Sequence, residues 1–325
     1  VNAFPHLLNA MFVVAAIYAL AVLMRRRGAL AEEHSLALAR IVTDLCLPAT
    51  IFATLVRTSV RFDQLGPAAL MFALEIGSIA LAWSVAALLR FPRSRRGPIV
   101  FCAAFGSSSF LGYAVIREMF PAGHEALAEA VLISELGVGY PILILGPLLA
   151  AHFGAAPAAA APEGPPPSPL RSALIFFRSP VFLSFVLGLL WPRLGLPGDK
   201  TPLMVPVFRL LDVLAAGLVP LALLSVGLMF RVPHPREIAL ALTIVVAVKL
   251  ILKPVAAGLL ARAFGFPELW EDVLVLLAGM PPAVLGPVFL RRYGGEAPLA
   301  SALLISAGLL SCVTLIGTFW LVHHF

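Results

Sequence analysis

Two polar interruptions of long apolar runs are the places in this chain where residue types and spacing could do chemistry. One is Gly106-Ser107-Ser108-Ser109; the other is Gly279-Met280-Pro281-Pro282, followed by Gly286-Pro287. Proline removes a backbone donor and clashes with the preceding turn. Glycine and serine propagate helices poorly, and serine offers a hydroxyl instead. Open backbone at membrane depth is tolerated only where it lines a polar cavity or is buried in protein. If the two breaks meet, four half-helix ends converge, and two of them present free N–H groups that favour an anion. The chemistry expected is therefore noncovalent capture of a small organic anion. Ser107, Ser108, Ser109, Phe110, Gly112, Pro281, Pro282, Leu285 and Gly286 are the residues expected to hold it. One such break would read as a structural kink; two at equivalent places in a repeat read as a site.

Charged residues inside apolar segments form the second group. A charge at that depth costs at least ~2.5–3.5 kcal/mol on insertion scales, so each needs a reason. Glu75, in FALEIGSIA, has no local partner, while Lys249 and Lys253 occupy a later apolar segment. Glu75 and Lys249, at comparable depth, suggest a pair across helices, or a carboxyl that stays protonated when unpaired. Glu75, Glu135 and Lys249 are the candidates for coupling or gating. Glu135 follows Ser134 near the first break, and coupling stays open between facilitated flux, proton linkage through Glu75 or Glu135, and a sodium ion near Ser107, Ser134 and Glu135. Glu129 is a further candidate for that role or, lying closer to the outer helix end, a solvated residue. Arg40 and Asp44, four apart, and Arg209 and Asp212, three apart, are each expected to neutralise one another on one helical face.

Enzyme signatures are absent: there is no zinc spacing, phosphate loop or dinucleotide fingerprint, so no enzymatic activity, metal centre or cofactor is expected. Cys46, Cys102 and Cys312 lie in apolar segments and read as packing residues. The histidines are scattered through loops and ends, and the terminal His323-His324-Phe325 reads equally as native sequence or as an added tail.

These residues must be positioned by membrane helices. Hydrophobic residues make up 61% of the 325 and charged residues 12%, against roughly 25% charged in a soluble protein. The lipid bilayer is the expected surrounding, and no basic-aromatic cluster supports nucleic-acid binding. Spans are predicted at 5–24, 36–56, 66–90, 98–120, 127–151, 176–196, 205–230, 237–264, 270–292 and 297–322. The first has Arg25-Arg26-Arg27 after it rather than before it, which reads as a membrane helix and not a cleavable signal. Loops after odd-numbered spans hold thirteen Lys or Arg residues and those after even-numbered spans six, which places both termini outside.

The chain also repeats itself. LGYAVIREMFPAGHEALAEAVLIS at 111–134 is echoed by LGPVFLRRYGGEAPLASALLIS at 285–306. A first five-helix repeat (1–154) and a second (171–325) flank a Pro/Ala-rich cytoplasmic linker at 155–170. Five helices per repeat force an inverted relation, and paired interruptions in an inverted repeat mark the substrate site of a secondary transporter. The fold class expected is all-α and polytopic, with ten transmembrane helices in two inverted five-helix repeats whose fourth and ninth spans are broken and cross.

Several segments carry a family resemblance: RRRGAL (25–30), LARIVTDLCLPATIFATL (38–55), SPVFLSFVLGLLWPRLGLP (179–197), VPLALLSVGL (219–228) and AGMPPAVLGPVFLRRYGGEAPLASALLIS (278–306). The chain resembles the auxin efflux carrier family, which includes plant PIN-type exporters and bacterial carriers of malonate or malate. The resemblance implies a fold shared with bile-acid and sodium/proton carriers and organic-anion substrates. It also implies a scaffold of the first, second, sixth and seventh spans, through which a homodimer would form. The remaining spans would be a mobile core that slides like an elevator in a bacterial inner membrane. Family members have an NxGFxGxP-like run before the first crossover. Here it reads SSSFLGYA, with Ser107 in place of asparagine, Ser109 of glycine and Ala114 of proline; Leu285 replaces a second asparagine. A sodium-coupled bile-acid-type symporter is the rival within transport, and a membrane-embedded sensor or receptor the rival outside it.

Overall fold

The computed structural model describes residues 3–31, 33–58, 60–121, 124–154, 177–229 and 235–324; the linker expected at 155–170 lies outside them. The described residues form helices and no strand beyond one isolated bridge. In lipid a helix satisfies its own backbone groups, and this composition leaves little else that could.

Among the described residues seven helices are long and apolar enough to cross a membrane: α1 (Pro5–Arg26), α2 (His34–Arg57), α3 (Phe62–Leu88), α6 (His124–Phe153), α8 (Val205–Leu228), α9 (Ile238–Ala263) and α12 (Ala297–His324). The protein is thus an integral, polytopic membrane protein. The predicted fourth span is divided into α4 (Arg93–Ala104) and α5 (Tyr113–Met119), and the ninth into α10 (Glu268–Ala278) and α11 (Leu285–Arg292). The predicted sixth span is the shorter α7 (Pro180–Arg193), started by Ser179, whose Oγ accepts from the Phe182 N–H at 3.2 Å.

Three of the long helices widen locally into π turns, at Val42–Cys46 in α2, Glu135–Gly139 in α6 and Val246–Leu252 in α9. Each ends two residues before a proline (Pro48, Pro141, Pro254). A proline ring collides with the carbonyl four residues back, and an i→i+5 turn makes room for it without ending the helix.

The chain folds as two compact units. The first comprises Val1–Leu65, Ser109–Leu132 and Ile175–Phe230; the second comprises Gly66–Ser108, Ile133–Leu174 and Arg231–Phe325. In the first, α1 meets α8 so closely that a Cβ on Gly227 would stand 2.7 Å from that of Ala21. Phe52 of α2 packs edge-on against Trp191 of α7, at 5.3 Å between ring centroids. In the second, Phe101 and Phe105 lie in a core with Val245, Leu250 and Leu303.

Candidate functional site

The two interruptions meet within the second unit. α4 ends at Ala104, and Phe105 turns to extended backbone. α10 ends at Ala278 and the chain stays irregular until α11 begins at Leu285. Where they cross, the Ser107 N–H donates to the Pro281 carbonyl at 2.8 Å and the Ala283 N–H to the Phe105 carbonyl at 2.9 Å. Gly106 and Pro282 therefore face each other as an antiparallel bridge. The central residues of such a bridge do not bond one another, which suits a proline that has no N–H to give.

Two helices that end at membrane depth leave carbonyl groups without intrahelical donors and a partial negative charge at each end. Two lysines of α9 answer both. Lys253 Nζ donates to the carbonyl of Ala104, the last residue of α4, at 3.0 Å. Lys249 Nζ donates to that of Ala278, the last residue of α10, also at 3.0 Å. Both side chains are buried, as is Glu75, whose Oε1 lies 2.6 Å from Lys253 Nζ. Lys253 is thus paired with a carboxylate, whereas Lys249 meets a helix-end carbonyl. A Cβ at position 106 would stand 2.6 Å from Lys249 Nζ, so the lysine would have to shift to admit one.

The residues predicted for the site divide as follows. Ser107, Ser108, Pro281 and Pro282 are buried at the crossing. Ser134 of α6 donates its hydroxyl to Ser108 Oγ at 2.6 Å. Glu135, the next residue, is 2% exposed and opens the π turn of α6, where Oε2 lies 3.1 Å from the position a Gly139 Cβ would take. Ser109, Phe110 and Gly112 belong to the first unit and continue the π turn Ser108–Gly112 that leads into α5; Ser109 and Phe110 are half-buried and Gly112 buried. Leu285 and Gly286 form the first turn of α11, with Leu285 exposed and Gly286 against the Phe101 ring.

Three expectations are corrected. The partner of Glu75 is Lys253, not Lys249, because Lys249 is drawn to the end of α10. Asp212 is held by Arg57 of α2, at 2.6 and 2.9 Å, rather than by its neighbour Arg209. Glu129 is not solvated but 0% exposed. Depth alone does not single out Lys253 as the partner of Glu75; the available signal is its four-residue spacing from Lys249.

The class of this polytopic bundle, with its two interrupted helices bonded to each other through their backbones, is given by sequence comparison: it is a membrane transport protein. The chain matches the membrane transport protein family over residues 6–155 and 171–321, and it belongs to that family, the auxin efflux carriers. It is 28% identical over 300 residues to an uncharacterized transporter of Methanothermobacter thermautotrophicus, covering 91% of this chain and 92% of the relative. It is 29% identical over 240 residues to a Rhizobium meliloti protein named "Putative malonate transporter", covering 69% and 74%. It is 23% identical over 294 residues to the uncharacterized transporter YfdV of Escherichia coli, covering 86% and 87%.

Proposed function

We propose that this protein is a secondary transporter of a small organic anion, held where the two interrupted helices cross. The observation that carries the reading is the backbone bridge between 105–107 and 281–283, formed by breaks at equivalent places in a repeated sequence. The amino groups of Lys249 and Lys253 beside that bridge suit an anion, and a relative named for malonate is consistent with one. Among the described residues, α7, α4 with α5, and α10 with α11, each counted as one span beside the seven long helices, give ten, in keeping with an inverted five-plus-five arrangement. In this reading the crossing is carried by a core that moves as an elevator against a dimeric scaffold, in a bacterial inner membrane with both termini outside.

The crossing lysines bear on coupling. They place N–H donors on the carbonyl ends of the broken helices, where a coupling cation would otherwise be attracted. That favours anion movement without sodium over a bile-acid-type symport. The test is counterflow of radiolabelled malonate into liposomes carrying the purified protein, with sodium or choline as the external cation. Exchange that is equal in both cations and lost in Ser107→Ala/Ser108→Ala is expected. A sodium requirement would move the protein to the symporter reading. Failure to exchange malonate, succinate or indole-3-acetate would remove the anion carrier.

A further inference from the structure

Glu129 lies on α6 within the first unit, and among the described residues neither of its carboxyl oxygens has a hydrogen-bond partner, although the residue is 0% exposed. The charged groups whose fields reach it are acidic. Glu125 is one turn earlier on the same helix, and Asp63 lies in the turn that begins α3. Asp63 is itself bound by Arg61, whose Nε and Nη2 donate at 3.1 and 2.6 Å. Among the described residues no ion pair reaches Glu129 as Lys253 reaches Glu75. An ionised carboxylate sealed from water without a cation or donor is not sustainable, and such a group neutralises instead. Nor does the neutral acid have any bond here that would explain its presence as a structural fastener. A buried carboxyl that fastens nothing is suited to changing its proton.

We propose that Glu129 is a proton-binding site of this carrier, distinct from the charged crossing in the second unit. Its O–H bond forms with a proton taken up from bulk water and breaks by returning that proton to bulk water. Use of that proton in the transport cycle rests on the transporter reading above; the existence of the site does not.

The test joins infrared spectroscopy of the purified protein in lipid with malonate counterflow at neutral and acidic pH. At neutral pH the wild type should show the carbonyl stretch of a protonated carboxylic acid. Glu129→Gln should lose it, Glu129→Asp should shift it, and Glu125→Gln should keep it. Glu129→Gln should also flatten the pH dependence of counterflow. Absence of the band in the wild type, or its persistence in Glu129→Gln, overturns the site. A band that behaves as expected while wild type and Glu129→Gln share one pH profile overturns its role in the cycle. A wild type without malonate flux counts against the proposed substrate, and the infrared result then decides the proton site alone.

Discussion

Arg57, at the end of α2, holds Asp212 with two hydrogen bonds and Asp199 with a third at 3.1 Å, and lies over the Phe208 ring at 5.3 Å. The two carboxylates remain 52% and 36% exposed. Glu75 and Lys253 make a contact just as short, yet their side chains are 0% and 1% exposed, and Lys249 beside them is buried too. In the first cluster water still solvates the carboxylates, so forming the contact changes little; such pairs contribute about 0–1 kcal/mol. In the second, water has been removed, and each charge depends on the groups fixed around it. Desolvation there offsets most of the attraction. The difference teaches what the buried set is for. It adds little to net stability, but it supplies the donors that two helix ends lack at a depth where no water can.

The contrast would be broken most directly at Lys253. Lys253→Met leaves Glu75 as an uncompensated buried carboxylate and the Ala104 carbonyl without its donor. Removing one member of a buried pair costs about 3–5 kcal/mol, so thermal unfolding followed by tryptophan fluorescence should move down sharply. Adding Glu75→Leu to that variant should restore much of the loss, because the stranded charge goes with it. Should Lys253→Met unfold at the wild-type temperature, the buried cluster is no different from a surface pair.

How much of this was legible in the sequence follows from where the information lies. Gly106 to Ser109 and the Pro281-Pro282 pair announce their breaks locally, because proline and glycine act on their own turn. The crossing of those breaks was legible only through the repeat, which made two unrelated interruptions equivalent. The partner of Glu75 was not legible. Lys249 and Lys253 are four residues apart, and the choice between them depends on which one the carbonyl ends of α4 and α10 claim. The same holds for Asp212, whose local neighbour Arg209 loses to Arg57, 155 residues away in sequence. The burial of Glu129 likewise depends on what packs around α6, which hydropathy along one strand of sequence cannot express.

Two smaller substitutions sharpen the comparison inside the buried cluster. Lys249→Met removes the donor to Ala278 but strands no opposite charge, so the expected loss is about 1–3 kcal/mol, below that of Lys253→Met. Gly106→Ala puts a methyl group 2.6 Å from the Lys249 ammonium, and overpacking of this kind costs about 1–3 kcal/mol. The two changes concern one contact and should not add. In a Lys249→Ala background, Gly106→Ala should become nearly neutral. If its cost is the same in both backgrounds, the glycine is needed for its backbone and not for the space it leaves to Lys249.

The smallest effect is expected at the exposed cluster. Asp212→Asn keeps the shape of the side chain and leaves Arg57 in contact with Asp199, so no charge is stranded away from water. The loss should be no more than about 1 kcal/mol. It should shrink further as salt is raised, because exposed charges are screened over roughly 8–10 Å at physiological ionic strength. Lys253→Met, sealed from solvent, should show no comparable salt dependence. Unfolding of both variants at low and high salt therefore separates the clusters by mechanism as well as by size. A salt-sensitive Lys253→Met would mean that water reaches the crossing, and an Asp212→Asn as damaging as Lys253→Met would mean that the outer cluster is the one holding its helices in place.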